Sequence, residues 1–277
     1  MISGTTTLIA HVGYPTHSFK SPLIYNPWFE KSGIDAVVVP MGVKAEEYPE
    51  FFKYLFKMTN IRGALITMPH KVTTVGLVDE VTPTVQIAGA ANAVLLREDG
   101  TLLGDQFDGA GFVRGVERKG FPLAGKRALV VGNGGVGSAI AASIAAAGVA
   151  ALGLFDPSKE SSEALAARID EHYPEIRLDT GSSDPEGYDI VVNATPLGMN
   201  DSDPLPMDVD RISPDTFVGE VVMKQQITPF LQAAIDKGCW VQVGTDMLFE
   251  QIPAYLEFFG FGTATPEALR AVSPIKG

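Results

Sequence analysis

Cysteine is almost absent from this chain: Cys239 stands alone, so no intramolecular disulfide can staple the fold. Histidine is scarce too, and His11, His17, His70 and His172 form no close group with metal-ligand spacing, so no metal is expected. Cations are outnumbered, with 21 Lys and Arg against 33 Asp and Glu and a net charge of −12. That balance argues against nucleic acid, whose phosphates require clustered Lys and Arg. It leaves room for an anionic small molecule, because a few local cations, such as Lys71, can hold a carboxylate inside an acidic protein. Long unbroken apolar runs are missing as well. No charge occurs between Arg127 and Asp156, yet six glycines and an asparagine interrupt that stretch, whereas a membrane span needs ~20 consecutive apolar residues. No membrane partner is expected. The opening Met-Ile-Ser-Gly-Thr-Thr-Thr shows neither the basic segment nor the apolar run of a secretory signal, and a cytoplasmic protein is the expectation.

What is present is core-forming material. With 45% hydrophobic and 19% charged residues among 277, the chain can bury two cores, and two domains are expected. From residue 6 to about residue 106, β-rich segments alternate with helical ones: Thr7–Val12, a helix near Leu23–Ser32, Ala36–Pro40, a helix through Glu46–Met58, and Gly63–Met68. That βαβα order predicts a mostly parallel sheet with helices on its faces. A second βαβαβ series follows: helix signals through Phe112–Arg118, strand Ala128–Val131, an Ala-rich helix Ser138–Ala147, strand Ala151–Phe155, a polar helix Ser161–Tyr173 and strand Asp189–Asn193. The tail from Met247 is too short for a domain, and its apolar helical pattern around Leu248, Ile252 and Tyr255 must pack on something already folded. The predicted fold is α/β with two domains: residues 1–106 for substrate, with 246–277 returning to them, and residues 107–245 as a Rossmann-type dinucleotide-binding domain.

The cofactor expectation rests on Gly132-Asn133-Gly134-Gly135-Val136-Gly137, a G-x-G-x-x-G string. Alone such a string is weak evidence. Here it follows an apolar strand and opens a helix, so backbone N–H groups at the helix start can face a pyrophosphate. The next strand ends in Phe155-Asp156, about 20 residues beyond the turn, where a carboxylate accepts hydrogen bonds from the adenosine ribose. Asp156 would repel the 2′-phosphate of NADP, and Pro157-Ser-Lys159 offers one nearby cation in compensation. NAD is therefore the expected cofactor, with NADP as the alternative.

In the first half, three polar motifs sit near the predicted ends of apolar strands, where open α/β sheets place ligands. They are Thr67-Met-Pro69-His-Lys71, Gly89-Ala-Ala-Asn92 and Gly104-Asp-Gln-Phe-Asp108-Gly-Ala-Gly111-Phe. Together with three further segments they resemble the shikimate dehydrogenase family, in order and over nearly the full length. Gly13-Tyr-Pro15-Thr-His-Ser-Phe-Lys-Ser21-Pro22 resembles the family's Gly-x-Pro…Ser-x-Ser-Pro substrate loop. Thr67 to Lys71 is similar to Asn-Val-Thr-x-Pro-x-Lys, whose lysine is catalytic, and Gly89 to Asn92 to Gly-Ala-Val-Asn. The segment ending at Asp108 resembles Gly-x-Asn-Thr-Asp-x-x-Gly-Phe, whose aspartate partners that lysine. Asn193-Ala-Thr195-Pro-Leu-Gly198-Met199 is similar to Asn-x-Thr-Pro-x-Gly-Met in the cofactor domain, and Gly244-Thr-Asp-Met247-Leu-Phe-Glu-Gln251 to Gly-x-x-Met-Leu-x-x-Gln, whose glutamine contacts substrate hydroxyls.

The resemblance implies an NAD(P)-dependent oxidoreductase that interconverts a cyclic polyol carboxylate, such as shikimate or quinate, and its ketone. Lys71 and Asp108 would handle the proton; Ser21, Thr67, Asn92 and Gln251 would bind substrate, with Phe19 and Ser18 as further substrate-loop candidates; Asn193, Thr195 and Gly244 would join the cofactor site. Departures fall on substrate-gripping positions. The first serine of the Ser-x-Ser pair aligns with Phe19, although a small shift of the loop would bring in Ser18. The asparagine before Val-Thr is Leu65, the Asn-Thr before the aspartate is Gln106-Phe107, and the segment before Thr228, usually Asp-x-x-Tyr, is Glu220-Val-Val-Met223. Lost hydrogen-bonding partners should weaken shikimate binding or favour a different ring. The competing reading is a dinucleotide-binding sensor or regulatory protein with vestigial activity. Monomer and homodimer both accord with the sequence.

Overall fold

The first apolar segment, Thr-Leu-Ile-Ala-His-Val-Gly, is strand β1 (Thr7–Gly13) of the computed structural model, which describes residues 2–200 and 202–275. It opens a unit that runs through Phe107 and takes in the chain from Ile252 onward. Helix α1 (Pro22–Ser32) starts on a proline, whose missing N–H costs nothing in a first turn, and stops at Gly33, whose φ of 68° suits a residue without a Cβ. Then come β2 (Ala36–Gly42), α2 (Tyr48–Leu55), β3 (Ile61–Ile66), α3 (Lys71–Val75), β4 (Glu80–Val81), α4 (Pro83–Ala88), β5 (Ala93–Leu96) and β6 (Leu102–Asp105). The sheet order is β2-β1-β3-β5-β6-β4. β1 is parallel to β2 and β3, and β4 to β6, whereas β5 is antiparallel to both its neighbours. The exception has a local cause: Arg97-Glu-Asp-Gly-Thr101 is too short for a crossover and turns the chain straight back.

One face of this sheet, through Ala10, Val12, Ala64, Ile66 and Val94, packs on Tyr48, Phe52 and Leu55 of α2. The C-terminal segment also belongs to this unit. Arg62 Nε donates to the Phe259 carbonyl at 2.9 Å, the Tyr255 hydroxyl donates to the Asn92 carbonyl at 3.3 Å, and a Cβ on Gly63 would lie 2.5 Å from the Phe259 ring. The chain from Ile252 thus groups with the first unit, whereas residues 246–251, expected to return with it, group with the second.

The second unit, Asp108–Gln251, holds α5 (Asp108–Arg118), β7 (Arg127–Val131), α6 (Gly135–Ala146), β8 (Ala151–Phe155), α7 (Lys159–His172), β9 (Arg177–Thr180), β10 (Ile190–Asn193), β11 (Phe217–Glu220), α8 (Pro229–Asp236) and β12 (Trp240–Gln242). Its sheet, β12-β11-β10-β7-β8-β9, is parallel throughout. Read from β9, that is the 3-2-1-4-5-6 order of dinucleotide-binding folds, with the strand reversal beside β7. Burial on both faces explains why the segments around β7 and β8 lack charge. Helix α9 (Gly244–Phe259) belongs to this unit up to Gln251 and to the first unit from Ile252; α10 (Pro266–Val272) packs on α1. Among the described residues no helix is long and apolar enough to cross a membrane.

Candidate active site

In the first unit the polar motifs gather where β1 and β3 end. The Thr67 N–H donates to the Val12 carbonyl at 2.9 Å, which ties the turn after β3 to the end of β1. Lys71 is the first residue of α3, and its carbonyl accepts the Ala91 N–H at 2.9 Å. That bond fixes the lysine segment against the one carrying Asn92. Asn92 is buried; its N–H donates to the Asp105 carbonyl at 3.0 Å and its Oδ1 accepts the Phe107 N–H at 2.9 Å. The segments carrying Thr67, Lys71 and Asn92 are thus tied to their neighbours by backbone hydrogen bonds, and Asp108 follows the tethered Phe107 in the chain.

The loop after β1 is closed by Phe19 rather than a serine. Its ring stacks on His11, with centroids 4.1 Å apart and planes at 26°. A Cβ on Gly13 would lie 3.0 Å from Phe19 Cζ and 2.4 Å from Thr67 Cγ2, so only glycine admits both neighbours. Ser18 is exposed and donates within its own loop, to the Pro15 carbonyl at 3.4 Å. Ser21 precedes α1 without capping it through its side chain, so its hydroxyl is not spent on the helix.

Of the histidines, His70 is structural: its Nε2 pairs with the Val43 carbonyl at 2.8 Å, and its ring stacks on Tyr48 at 3.9 Å. His17 is exposed in a short 3-10 turn. Sequence reasoning passes over His11, a lone histidine in an apolar strand. It is 6% exposed, and burial together with the charge of Lys71 lowers its pKa to about 4, so the ring is neutral at physiological pH. Its Nδ1 is buried without a hydrogen-bond partner among the described residues.

The departures sort by burial. Leu65 is buried, and Phe107 packs edge-on against Tyr255 at 4.8 Å and Phe258 at 5.2 Å, whereas Met223 is exposed.

In the second unit, Asp108 is buried at the first turn of α5, where a helix N-terminus favours negative charge. The Gln251 Oε1 is buried without a partner among the described residues. Its backbone crosses α5 so closely that a Cβ on Gly111 would lie 2.9 Å from the Gln251 nitrogen.

The glycine turn divides its labour. Gly132 has φ of 98° and Gly137 packs beneath it, where a Cβ would lie 1.8 Å from the Gly132 carbonyl oxygen. Gly134 and Gly135, by contrast, have nothing within 4 Å of an added Cβ and open the 12-residue helix α6. That open backbone at a helix N-terminus fits a pyrophosphate. Asn133 donates its N–H to Asp156 Oδ2 at 2.9 Å and its Nδ2 to Ser162 at 2.8 Å, while Asp156 Oδ1 accepts the Ser158 N–H at 3.0 Å. Val136 is half-buried in the first turn of α6. Beside the turn, Asn193 donates to the Leu197 carbonyl at 2.9 Å and accepts both the N–H and the hydroxyl of Thr195; the Thr195 methyl lies 2.8 Å from where a Gly132 Cβ would be. Gly244 packs against the Val222 carbonyl, 2.2 Å from its own would-be Cβ. Glu220 is also buried, and burial raises its pKa to about 7; its Oε2 accepts from Thr228 at 2.9 Å.

Comparison with known proteins converges on one family. A family model described as the shikimate dehydrogenase substrate binding domain matches residues 12–94. A shikimate dehydrogenase (NADP(+)) of Paramagnetospirillum magneticum is 31% identical over 274 residues, 98% of this chain and 99% of that protein. Among solved structures, Listeria monocytogenes shikimate 5-dehydrogenase, in complex with shikimate and NAD, has a TM-score of 0.90 and 27% identity, covering 98% of this chain and 97% of that one. The 5-ketofructose reductase of a Gluconobacter strain has a TM-score of 0.89 and 26% identity, covering 98% of each chain.

Proposed function

Since this chain belongs to the shikimate dehydrogenase family, we propose that it is a nicotinamide-dependent oxidoreductase interconverting a ring alcohol of a cyclic polyol carboxylate, such as shikimate or quinate, and its 3-dehydro ketone. The observation that supports the reading is the bond between the Lys71 carbonyl and the Ala91 N–H, which ties the lysine segment to the one carrying Asn92. A bound nicotinamide supplies the hydride acceptor or donor. Lys71 takes the hydroxyl proton in oxidation and returns it in reduction; Asp108 orients the amine and hydrogen-bonds the alcohol. Ser21, Thr67, Asn92 and Gln251 hold the remaining oxygens, and the Gln251 Oε1, without a partner among the described residues, suits a substrate hydroxyl.

Gly132 to Gly137, Asn193, Thr195 and Gly244 hold the dinucleotide, with Asp156 at the ribose. NAD is the preferred cofactor in this reading. Its support is the carboxylate of Asp156 and the engagement of Lys159, whose Nζ pairs with Glu163 at 3.2 Å instead of standing ready for a 2′-phosphate. The P. magneticum relative is named for NADP(+), so a direct comparison of the two cofactors decides. The test is a panel of shikimate, quinate and uncharged polyols with NAD and NADP, followed at the reduced-nicotinamide absorbance band. Turnover of a cyclic polyol supports the proposal; cofactor binding with no turnover across the panel favours a sensor, the alternative to which the apolar Phe19, Leu65 and Phe107 give weight.

A further inference from the structure

The neutral, buried His11 has no place in the chemistry above. It sits on β1 level with Leu65 of β3, its ring lies on Phe19, and Phe19 Cζ and the Thr67 methyl both lie within 3.0 Å of where a Gly13 Cβ would be. Lys71 is near enough for its charge to act on the imidazole. The ring therefore lies within electrostatic range of the lysine given the proton-handling role, and its Nδ1 has no partner among the described residues. A buried polar atom left without a partner is costly, and at a binding site a ligand is the natural source of one.

The chemistry of that ligand group follows from the surroundings. A hydroxyl donates and accepts, so it satisfies Nδ1 in either tautomer of the neutral ring. A carboxylate only accepts, and it would draw a second proton onto an imidazole that burial and Lys71 keep neutral. We propose that His11 is a further substrate-binding residue, its Nδ1 hydrogen-bonded to an uncharged hydroxyl of the substrate, with the His11–Phe19 stack as the wall against which that part of the molecule lies. The inference rests on the reading that the chain turns over a polyol. It adds a specificity determinant: the substrate meets this wall through a hydroxyl, and any carboxylate it carries lies elsewhere.

Steady-state kinetics of the full chain with the fastest-reacting panel member test this. His11→Phe keeps an aromatic ring on Phe19 and removes Nδ1; His11→Asn keeps a polar atom near the same place. Losing the bond should raise the substrate KM about 10- to 100-fold in His11→Phe, with kcat changed less than about threefold and the KM for NAD unmoved. His11→Asn should recover most of that loss. An unchanged substrate KM in His11→Phe, equal losses in both variants, or a fall in kcat without a change in KM would each overturn the assignment. A second readout needs no turnover: the 15N resonance of His11 Nδ1 should move when shikimate, quinate or an uncharged cyclic polyol binds the NAD-loaded protein. A shift without turnover would sink the enzyme reading and leave His11 as a ligand contact, whereas turnover with no shift and no KM effect would sink only the His11 proposal.

Discussion

Two glycines of one turn should fail in different ways when each gains a methyl group. Gly134 has φ of −70° and ψ of −170°, which alanine adopts freely, and no atom lies within 4 Å of its would-be Cβ. Alanine there reduces unfolded-chain entropy by about 0.4–1 kcal/mol, and its poorer capping removes a similar amount, so stability should hold within about 1 kcal/mol. The methyl group would occupy the space a pyrophosphate must enter. Displacing the phosphate costs one charge-assisted hydrogen bond worth about 1.5–3 kcal/mol. At about 1.4 kcal/mol per tenfold, the Kd for NAD should rise ~10- to 100-fold. Gly137 is the converse. Its Cβ would fall 1.8 Å from the Gly132 carbonyl oxygen, a backbone atom that cannot swing aside, so Gly137→Ala should cost roughly 3 kcal/mol or more and lower Tm by about 6–12 °C. Calorimetric NAD titration and thermal melts of both variants separate the cases. A Gly134→Ala protein that binds NAD within twofold of the unaltered protein would refute the placement of the cofactor on this turn.

Lys71→Ala should lower kcat by about 10²–10⁴-fold while the Kd for NAD stays within twofold, and Asp108→Asn should also lower it severely. Because the two act as one unit, the double variant should be little worse than either single one; additive losses in kcat would argue for separate roles. Asp156→Ser with Pro157→Arg should shift the ratio of kcat/KM values toward NADP, and an unaltered protein that already uses NADP as well as NAD would contradict the role given to Asp156. His11 gives a pH dependence of stability. Its folded pKa of about 4 lies below the ordinary 6.5, so the unfolded chain binds the extra proton between those values and stability falls as pH drops through that window. At about 1.36 kcal/mol per pH unit the loss approaches roughly 3 kcal/mol; His11→Phe should remove it in urea titrations at pH 7 and pH 4, and identical slopes in the two proteins would be the contrary result. His70, whose pKa burial also lowers, is present in both proteins and cancels in the comparison.

The fold was legible where local pattern and burial agree. Ala151–Phe155 is a strand within the bounds its apolar run implies, and the glycine turn opens α6 after β7. Helix α6 begins at Gly135 rather than Ser138, because the turn glycines themselves form its first turn, a conformation that propensity disfavours and phosphate-binding turns require. Likewise α5 begins at Asp108, ahead of the apolar pattern from Phe112, since Gly109 and Gly111 are there for close packing: a Cβ on Gly109 would lie 2.0 Å from the Ala139 carbonyl oxygen. The short strands β4, β6 and β12 carry too few residues for period-two alternation to register.

The site divides along the same line. Lys71, Asn92 and Asp108 stand out in the sequence as candidates because glycine, proline and strand ends flank each of them, and those are local signals. His11 was not, since its neutrality and its unpartnered nitrogen come from Phe19, Lys71 and burial, all of which depend on how a loop folds back over a strand end. This bears on how the apolar departures should be read. Independent drift removes hydrogen-bonding groups one at a time and leaves their former partners stranded without a new arrangement. Here Phe19 stacks on His11, His11 is level with Leu65, and Phe107 is held by Asn92 through its N–H while its ring packs on Tyr255. The replacements are thus each taken up by their neighbours, Phe19 by the His11 ring and Phe107 by Asn92, Tyr255 and Phe258, and the His11 Nδ1 is left buried beside them without a partner among the described residues. Such mutual fit favours a site retuned for a different hydroxyl pattern over one decaying toward inactivity, and the KM effect of His11→Phe is where the two diverge.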